Sequence, residues 1–522
     1  MPQELPGFYY DAEKNRYFPI KGPIPGSKRT SSSSSATAQK SVSNPNQENN
    51  ICKRMRIRTA KMLHIRELDG NLITSNKGRC NFQEEYRKRQ ASLPMVWKYE
   101  KTDMIADGAL EQINVDAHTP GGQMGTNVLL TGSMNGTLSL FEVGKVGQHF
   151  DYGVKCMPDH VWPRNIENQK ESSKEPGNIW RPLGASVVMP SSVSSIKMLG
   201  KHSPHTIDDG STIQHALITT LGSETHGGSV YVLNLVEPLD LNPHIFDLKR
   251  ILHEVACFSY TIWTADCNSN GNQAVIGTNL GALLVNLENG VSSWVCRSKS
   301  DVLSQQFDRS GNIVLCGLRN GAIATVDLRQ KQEECSARLT RHHIPYPAHK
   351  IFEHSSSTGR KFTKQWFEVK GNIDPSRTIF MPSSISCLVS LQFYDQYFLA
   401  SSMDGSIKLF DHRIIQRGPV QSYEGHVNSH TRIQLGVDPS ERFVMSGGED
   451  CKLRLWSIKS GELLFEDKFS NSIPLTVCCT RTERISAGQD ERPFYEENLY
   501  AQNHSWGAWL GSQEGLFCLH WS

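Results

Sequence analysis

The 522-residue sequence contains no run of eighteen apolar residues, so no segment is able to cross a bilayer as a helix. It also lacks any Cys-x-x-Cys pair, and its 13 cysteines are an odd number. Most of them, such as Cys257, Cys296, Cys316 and Cys518, stand inside apolar runs. That usage fits small buried hydrophobes in a reducing compartment, not a disulfide framework. The opening Met1-Pro2-Gln3-Glu4 has neither the basic start nor the apolar stretch of a secretory signal. A soluble intracellular protein is expected. No phosphate-cradling Gly loop, His-Glu-x-x-His or Gly-x-Ser-x-Gly motif occurs, so no catalytic residue and no cofactor is expected.

An excess of one charge is missing as well. The 55 basic and 53 acidic groups rule out a uniformly cationic nucleic-acid coat. The balance is uneven along the chain. Nineteen basic and nine acidic residues fall in the first 101 positions, against 36 and 44 in the remaining 421. A cationic arm therefore precedes a mildly acidic body.

Within that arm, residues 1–21 place two short aromatic runs either side of a polar turn at 11–15, the pattern of a small hairpin. Residues 22–50 are rich in Ser, Pro and Asn, with five consecutive serines at 31–35, and read as a disordered linker. Residues 51–105 form a basic, partly helical arm carrying Lys53-Arg54-Met55-Arg56-Ile57-Arg58 and Arg87-Lys88-Arg89. Such clusters suit a nuclear localisation signal or an electrostatic contact, and equally a solvated helix face. An intracellular setting is the expectation, with the nucleus favoured and the cytoplasm also open.

From about residue 106 to 522 one pattern recurs: an apolar strand, a tight polar turn, a second apolar strand. The turns are Asn135-Gly136, Gly227-Gly228, Leu280-Gly281, Asn320-Gly321, Asp404-Gly405, Asp450-Cys451 and Glu514-Gly515. Successive turns are 92, 53, 40, 84, 46 and 64 residues apart. The shorter spacings approach the period of a WD40 blade, and the longer ones imply inserts, near 148–194, 330–383 and 486–505. The sixth copy carries His426, Ser446, Asp450 and Trp456, the residue types of a buried hydrogen-bonded chain that fixes blade geometry. The fold expected is all-β: a seven-bladed WD40 β-propeller with a partly disordered basic N-terminal arm.

Two repeats end alike, Val326-Asp327-Leu328-Arg329 and Phe410-Asp411-His412-Arg413. A carboxylate two residues before an arginine can hold its guanidinium fork and aim the remaining donors at a partner. The sixteen residues FLASSMDGSIKLFDHR, Phe398 to Arg413, resemble the box by which WD40 substrate receptors dock on the adaptor of cullin-4 ubiquitin ligases. Phe398 and Leu399 match its apolar pair, Ala400, Ser401 and Ser402 its small triplet, and Asp404, Ile407, Leu409, Asp411 and Arg413 the remainder. Phe410 stands where Trp or Tyr is usual, and His412 where an apolar residue is usual. Val314 to Arg329 is a looser copy, departing at Cys316, Leu318, Asn320 and Val326. The sixth repeat has Ser457 and Lys459 instead, and is left out. The Glu4–Phe18 opening, Ser300–Phe307 and Tyr423–Asn428 are also similar to this receptor family.

The resemblance implies a non-catalytic substrate-recognition subunit. Its partners would be the ligase adaptor, itself a multi-propeller protein, and a protein substrate that the sequence does not identify. Asp327, Arg329, Asp411 and Arg413 would be the adaptor-binding residues. The alternative is a nuclear WD40 scaffold or nucleic-acid-associated propeller, binding through its basic arm. The insert at 330–383 adds His342, His343, His349 and His354, whose spacing matches no closed zinc pattern, so no metal is expected. Its Lys361, Phe362, Lys364, Trp366 and Phe367 read as a surface loop, with nucleic-acid or substrate contact as the other reading.

Overall fold

A computed structural model describes residues 8–11, 16–19, 62–64, 66–67, 70, 72–75, 78–119, 122–143, 153–163, 176–199, 215–223, 226–241, 246–330, 336–341, 365–371, 373, 375–481 and 506–521. The chain divides into two units, residues 1–67 and 68–522. In the first, Phe8–Asp11 pairs antiparallel with Arg16–Pro19, with Asp11 opposite Arg16. The linker at 22–50, the basic run at 53–58, the four histidines of the long insert and the segment 486–505 lie outside the described residues.

The second unit is a seven-bladed β-propeller. Blade one is built from Ala109–Thr119, Gly122–Gly132 and Thr137–Val143. Its outer position is shared by Ile179–Pro182 and Ser186–Val188, which pair with successive parts of Thr137–Val143. Blades two, three, five and six run in sequence as four-stranded meanders beginning at Val193, Ile262, Ile385 and Leu435. Blade four takes its first three strands from Val302–Phe307, Ile313–Leu318 and Ala322–Asp327, and its outer strand, Ile379–Phe380, only after the long insert. The first strand of each blade touches that of the next, and Thr476–Arg481 of blade seven returns to Ala109–Thr119 of blade one. The ring is closed, which leaves few open sheet edges.

All seven turns foreseen from the sequence join the second and third strands of a blade. Gly405 shows why small residues stand there. Its φ is +83°, and a Cβ would come within 2.6 Å of the His426 carbonyl oxygen. Blade six departs from this rule, with Cys451 held at φ +60°.

The ring is closed by a strand from the amino-terminal side. Met95–Tyr99 pairs with Gly515–His520 as the fourth strand of blade seven. This corrects the expected boundary at 106, because part of the 51–105 arm belongs to the propeller. The physical reason is that blade seven lacks a fourth strand of its own, and the segment is apolar enough to be covered on both faces: Val96, Trp97 and Tyr99 are buried. The preceding helix, Phe82–Ala91, begins at an Asn81 cap and carries the second basic cluster. Lys88 pairs there with Glu85 and with Glu462 of blade six, at 3.0 and 3.4 Å. Trp521 Nε1 donates to the Ala91 carbonyl, tying the helix end to the chain's carboxy-terminal strand region.

The inserts extend sheets. Ser336–Arg341 and Gln365–Gly371 form a hairpin added to the outer edge of blade three. Pro158–Trp162 adds a fifth strand outside Met95–Tyr99. No helix among the described residues is long and apolar enough to cross a membrane.

Candidate functional site

The third strand of blade five, Ile407–Asp411, is fixed by its neighbours before it delivers any functional group. Ala400, Ser401 and Ser402 on the paired strand are fully buried, and Ser401 Oγ lies 2.9 Å from Ser386 Oγ on the first strand. Larger side chains would have no room in that layer. Asp404 shapes the turn by accepting from the Ser406 hydroxyl at 2.7 Å.

At the far end of the strand Asp411 is nearly buried, its side chain 4% exposed, whereas Arg413 is 66% exposed. The Arg413 backbone N–H donates to Asp411 Oδ1 at 2.8 Å, making an Asx turn that folds the arginine back over the carboxylate. Its Nε then donates to Oδ1 at 3.0 Å and its Nη2 to Oδ2 at 2.8 Å. This is the bidentate fork that only arginine can make. The hydrogen bond from Arg413 holds the Asp411 carboxyl below its ordinary range.

Blade four repeats the arrangement. Arg329 donates from its backbone N–H and Nε to Asp327 Oδ1, both at 3.0 Å, and from Nη2 to Oδ2 at 2.7 Å. The Arg329 side chain is 65% exposed, and its hydrogen bond depresses Asp327 to about 2. Each guanidinium has two of its five donors committed to the aspartate, and the geometry of the remainder is set by that grip.

The two departures from the receptor box have a physical reading. Phe410 is buried and stacks on Phe398 with ring centroids 5.5 Å apart. His412 lies against the same ring at 4.6 Å, and burial lowers its pKa, which favours the neutral imidazole. A neutral, packed histidine fills the position of an apolar residue. In blade four, Cys316, Leu318 and Val326 are buried in the same way.

Sequence reasoning missed what surrounds Arg413. Two one-turn 3-10 helices, Pro375–Arg377 and Ile415–Arg417, stand in the outer connections of blades four and five. They bring Arg377 and Arg417 to the same end of the ring as the Asp-x-Arg pairs. The turn at 392–396 also lies here, since the His412 backbone donates to the Gln396 carbonyl. Its Phe393 and Tyr394 are 41% and 52% exposed. Glu441 of blade six accepts from the backbone N–H groups of Gln392, Phe393 and Tyr394, and Arg309 of blade four donates to the Gln392 carbonyl at 3.2 Å. An exposed aromatic turn anchored from both neighbouring blades is preorganised for contact. The only local signal for Arg417 was its place four residues after Arg413. For Arg377 there was none, because it arrives through the insert.

The expected chain through His426, Ser446, Asp450 and Trp456 forms only in part. Ser446 Oγ is 3.3 Å from His426 Nε2, and the His426 ring also meets the Gly447 carbonyl at 2.8 Å. Trp456 Nε1, however, donates to the Glu424 carbonyl, and Asp450 is taken by Arg454. Arg454 is almost fully buried and must have a counter-ion. Burial lowers the pKa of His426, the direction of a packed structural imidazole. Among the described residues no cluster of His, Cys, Asp and Glu could hold a metal ion.

Residues 375–411 and 417–457 match the family described as WD domain, G-beta repeat. The chain is 29% identical over 167 residues to DDB1- and CUL4-associated factor 4 of Bos taurus, covering 32% of this chain and 26% of that protein. It is 30% identical over 169 residues to DDB1- and CUL4-associated factor 4-like protein 2 of Homo sapiens, 32% of each chain. A shorter match, 30% over 95 residues, is to the Denticleless protein homolog of Gallus gallus, covering 17% of this chain and 13% of that one. The match thus spans about a quarter to a third of the length of the two DDB1- and CUL4-associated relatives.

Proposed function

Starting from a WD40-repeat chain of the DDB1- and CUL4-associated factor family, we propose that this protein is a substrate-recognition subunit of a CUL4–DDB1 ubiquitin ligase. In this reading Arg329 and Arg413 dock on the adaptor, and another surface of the propeller presents the substrate. The chain itself performs no chemistry; ubiquitin transfer belongs to other subunits.

The observation that carries the reading is duplication. Two adjacent blades end in the same Asp-x-Arg fork, with the same three hydrogen bonds and nearly the same exposure of the arginine. A structural ion pair has no need to leave two thirds of the guanidinium in solvent. Its stabilising value there is small, because exposed pairs are screened. Preorganised, exposed arginines are the type of group that dominates binding interfaces.

The test is capture of DDB1 by the tagged full chain, wild type against Arg329→Ala plus Arg413→Ala. Wild type should recover the adaptor and the double variant should not. Equal recovery by both, or none by either, would sink the proposal.

A nucleic-acid-associated role gains less support. The second basic cluster lies on a helix where Lys88 is already paired with Glu85 and Glu462.

A further inference from the structure

In an antiparallel meander, the turn between the first and second strands and the end of the third strand share one end of the blade. Both Asp-x-Arg forks therefore stand at the same end of the ring as the turns at 308–312, 391–396 and 438–442, in blades four, five and six. Hydrogen bonds tie these turns to the forks directly. The Leu328 N–H, within the blade-four fork, donates to the Asn312 carbonyl at 2.8 Å. The His412 N–H, within the blade-five fork, donates to the Gln396 carbonyl at 2.9 Å. Arg309 Nη1 bridges the two turns by donating to the Gln392 carbonyl at 3.2 Å.

From blade six, Glu441 fastens the middle turn. Its carboxylate accepts from the Gln392 N–H, from the Phe393 N–H at 2.9 Å and from the Tyr394 N–H at 3.3 Å. Glu441 is buried and held at φ +54°, a left-handed conformation that is costly for a residue with a Cβ. The Tyr397 N–H closes the turn from within by donating to the Tyr394 carbonyl at 2.8 Å. A strained, buried carboxylate thus commits three hydrogen bonds to one surface turn, yet the core gains only Leu391 from it. Phe393 and Tyr394 are left exposed, and so is Ile414, the residue after Arg413. Rigid aromatics standing in solvent are the groups that anchor interfaces.

We propose that Phe393 and Tyr394 are the apolar anchor of the docking surface and enter an apolar cleft of DDB1, beside the points where it meets Arg329 and Arg413. The inference rests on the docking reading above and adds the part of the interface that supplies affinity. A stable interface buries roughly 800 Å² on each partner. A patch of that size containing Arg413 covers a turn bonded to the residue beside it. Each fork aims its arginine, but exchanging water for a partner at an exposed charge yields specificity more than affinity. Burial of the two rings supplies the remainder, and the Tyr394 hydroxyl can stay at the wet rim of the cleft.

The experiment measures binding of the full chain to immobilised DDB1 at low and moderate salt. It compares wild type, Phe393→Ala plus Tyr394→Ala, the conservative pair Phe393→Leu plus Tyr394→Phe, and Arg329→Ala plus Arg413→Ala. The aromatic alanine pair should dissociate about thirtyfold faster, equally at both salt concentrations because no charge is altered. The conservative pair should stay within about threefold of wild type. Both rings are exposed, so all four chains should melt together. A second measurement needs no variant: hydroxyl-radical labelling of the wild-type chain, read by mass spectrometry. Labelling of Phe393 and Tyr394 should fall at least threefold when DDB1 is bound, relative to Met134, an exposed residue in the second-to-third-strand turn of blade one at the other end of the ring. If the aromatic alanine pair binds with wild-type kinetics, or the labelling ratio does not change, while the fork variant fails to bind, the anchor inference is overturned and the docking reading stands. If the fork variant binds like wild type, docking through the forks is itself wrong, and the anchor inference falls with it.

Discussion

Arg454 and Asp450 are joined by two parallel hydrogen bonds, Nη1 to Oδ1 at 2.9 Å and Nη2 to Oδ2. The arginine also reaches Glu466 Oε1 at 2.8 Å. Its side chain is 3% exposed, against 26% for Asp450 and 23% for Glu466. A buried cation on the third strand of blade six thus claims the turn aspartate that the sequence pattern assigned to His426.

This exchange predicts a rank order of stabilities. Asp450→Asn leaves Arg454 with one carboxylate where it had two, in a place water reaches poorly. Breaking a fully buried pair costs roughly 3–5 kcal/mol, and partial exposure of Asp450 lowers the expectation to roughly 2 kcal/mol. His426→Ala leaves the Arg454 network untouched and removes the imidazole's contacts with the Gly447 carbonyl and the Ser446 hydroxyl, together about 1.5 kcal/mol. Urea unfolding should therefore find Asp450→Asn the less stable of the two. A His426→Ala chain that unfolds earlier would show that the histidine, not the arginine, is the main partner in this blade.

How far the sequence could be read follows from the distance over which each feature is encoded. The seven turns were legible because a Gly or Asp beside alternating apolar residues is a signal within ten residues. The forks at Asp327 and Asp411 were legible for the same reason, since the grip spans only two residues. The closing strand was not. Met95–Tyr99 pairs with a segment more than four hundred residues away, and its basic surroundings suggested an exposed arm. The partner of Asp450 was also hidden, because a strand arginine is ordinarily solvated and only the packed blade reveals that Arg454 is buried. Arg377 could not be placed at all: it reaches the site through a long insert whose return point is set by the pairing of Ile379–Phe380 with blade four.

The forks predict an unusual intolerance to lysine. Arg413→Lys and Arg329→Lys keep the charge but lose the planar pair of donors that meets both carboxylate oxygens. The lysine pair should lose adaptor capture nearly as fully as the alanine pair. If the lysine pair recovers wild-type amounts, charge alone suffices and the geometry of the fork has no part in binding.

The inner strands predict a pH effect. Burial pushes the Glu111 carboxyl up to about 7, with Lys197 acting in the opposite direction. Lys197 is half-buried and desolvation lowers its pKa, yet Asp266 and Glu111 outweigh that penalty and raise it. Unfolding returns Glu111 to its ordinary value of 4.5. Between pH 4.5 and about 7 the unfolded chain has released a proton that the folded chain still holds, so this residue costs stability as pH rises through that window. Glu111→Gln cannot release a proton in either state. The stability of Glu111→Gln relative to wild type should therefore increase from pH 4.5 to pH 7.5 in denaturant titrations. Parallel profiles for the two chains would contradict the raised value.

The closing strand should be the point at which the ring fails. Val96 is fully buried and pairs with Leu519, while Tyr99 is 1% exposed and its hydroxyl donates to the Gly177 carbonyl at 2.8 Å. Val96→Asp would bury an unpaired carboxylate in the core shared by blades six and seven, among Phe517, Leu519 and Leu510. The expected cost exceeds about 3 kcal/mol, in the range of the largest single substitutions. The strand's release would also expose Gly515–His520 as an unprotected edge, so aggregation should accompany the loss. Lys98→Gln, on the same strand with its side chain in the half-exposed row, serves as the control and should change stability by less than about 0.5 kcal/mol. Thermal melts and limited proteolysis of the two variants distinguish the cases. A Val96→Asp chain that melts with the Lys98→Gln chain would mean that the ring does not depend on this strand for closure.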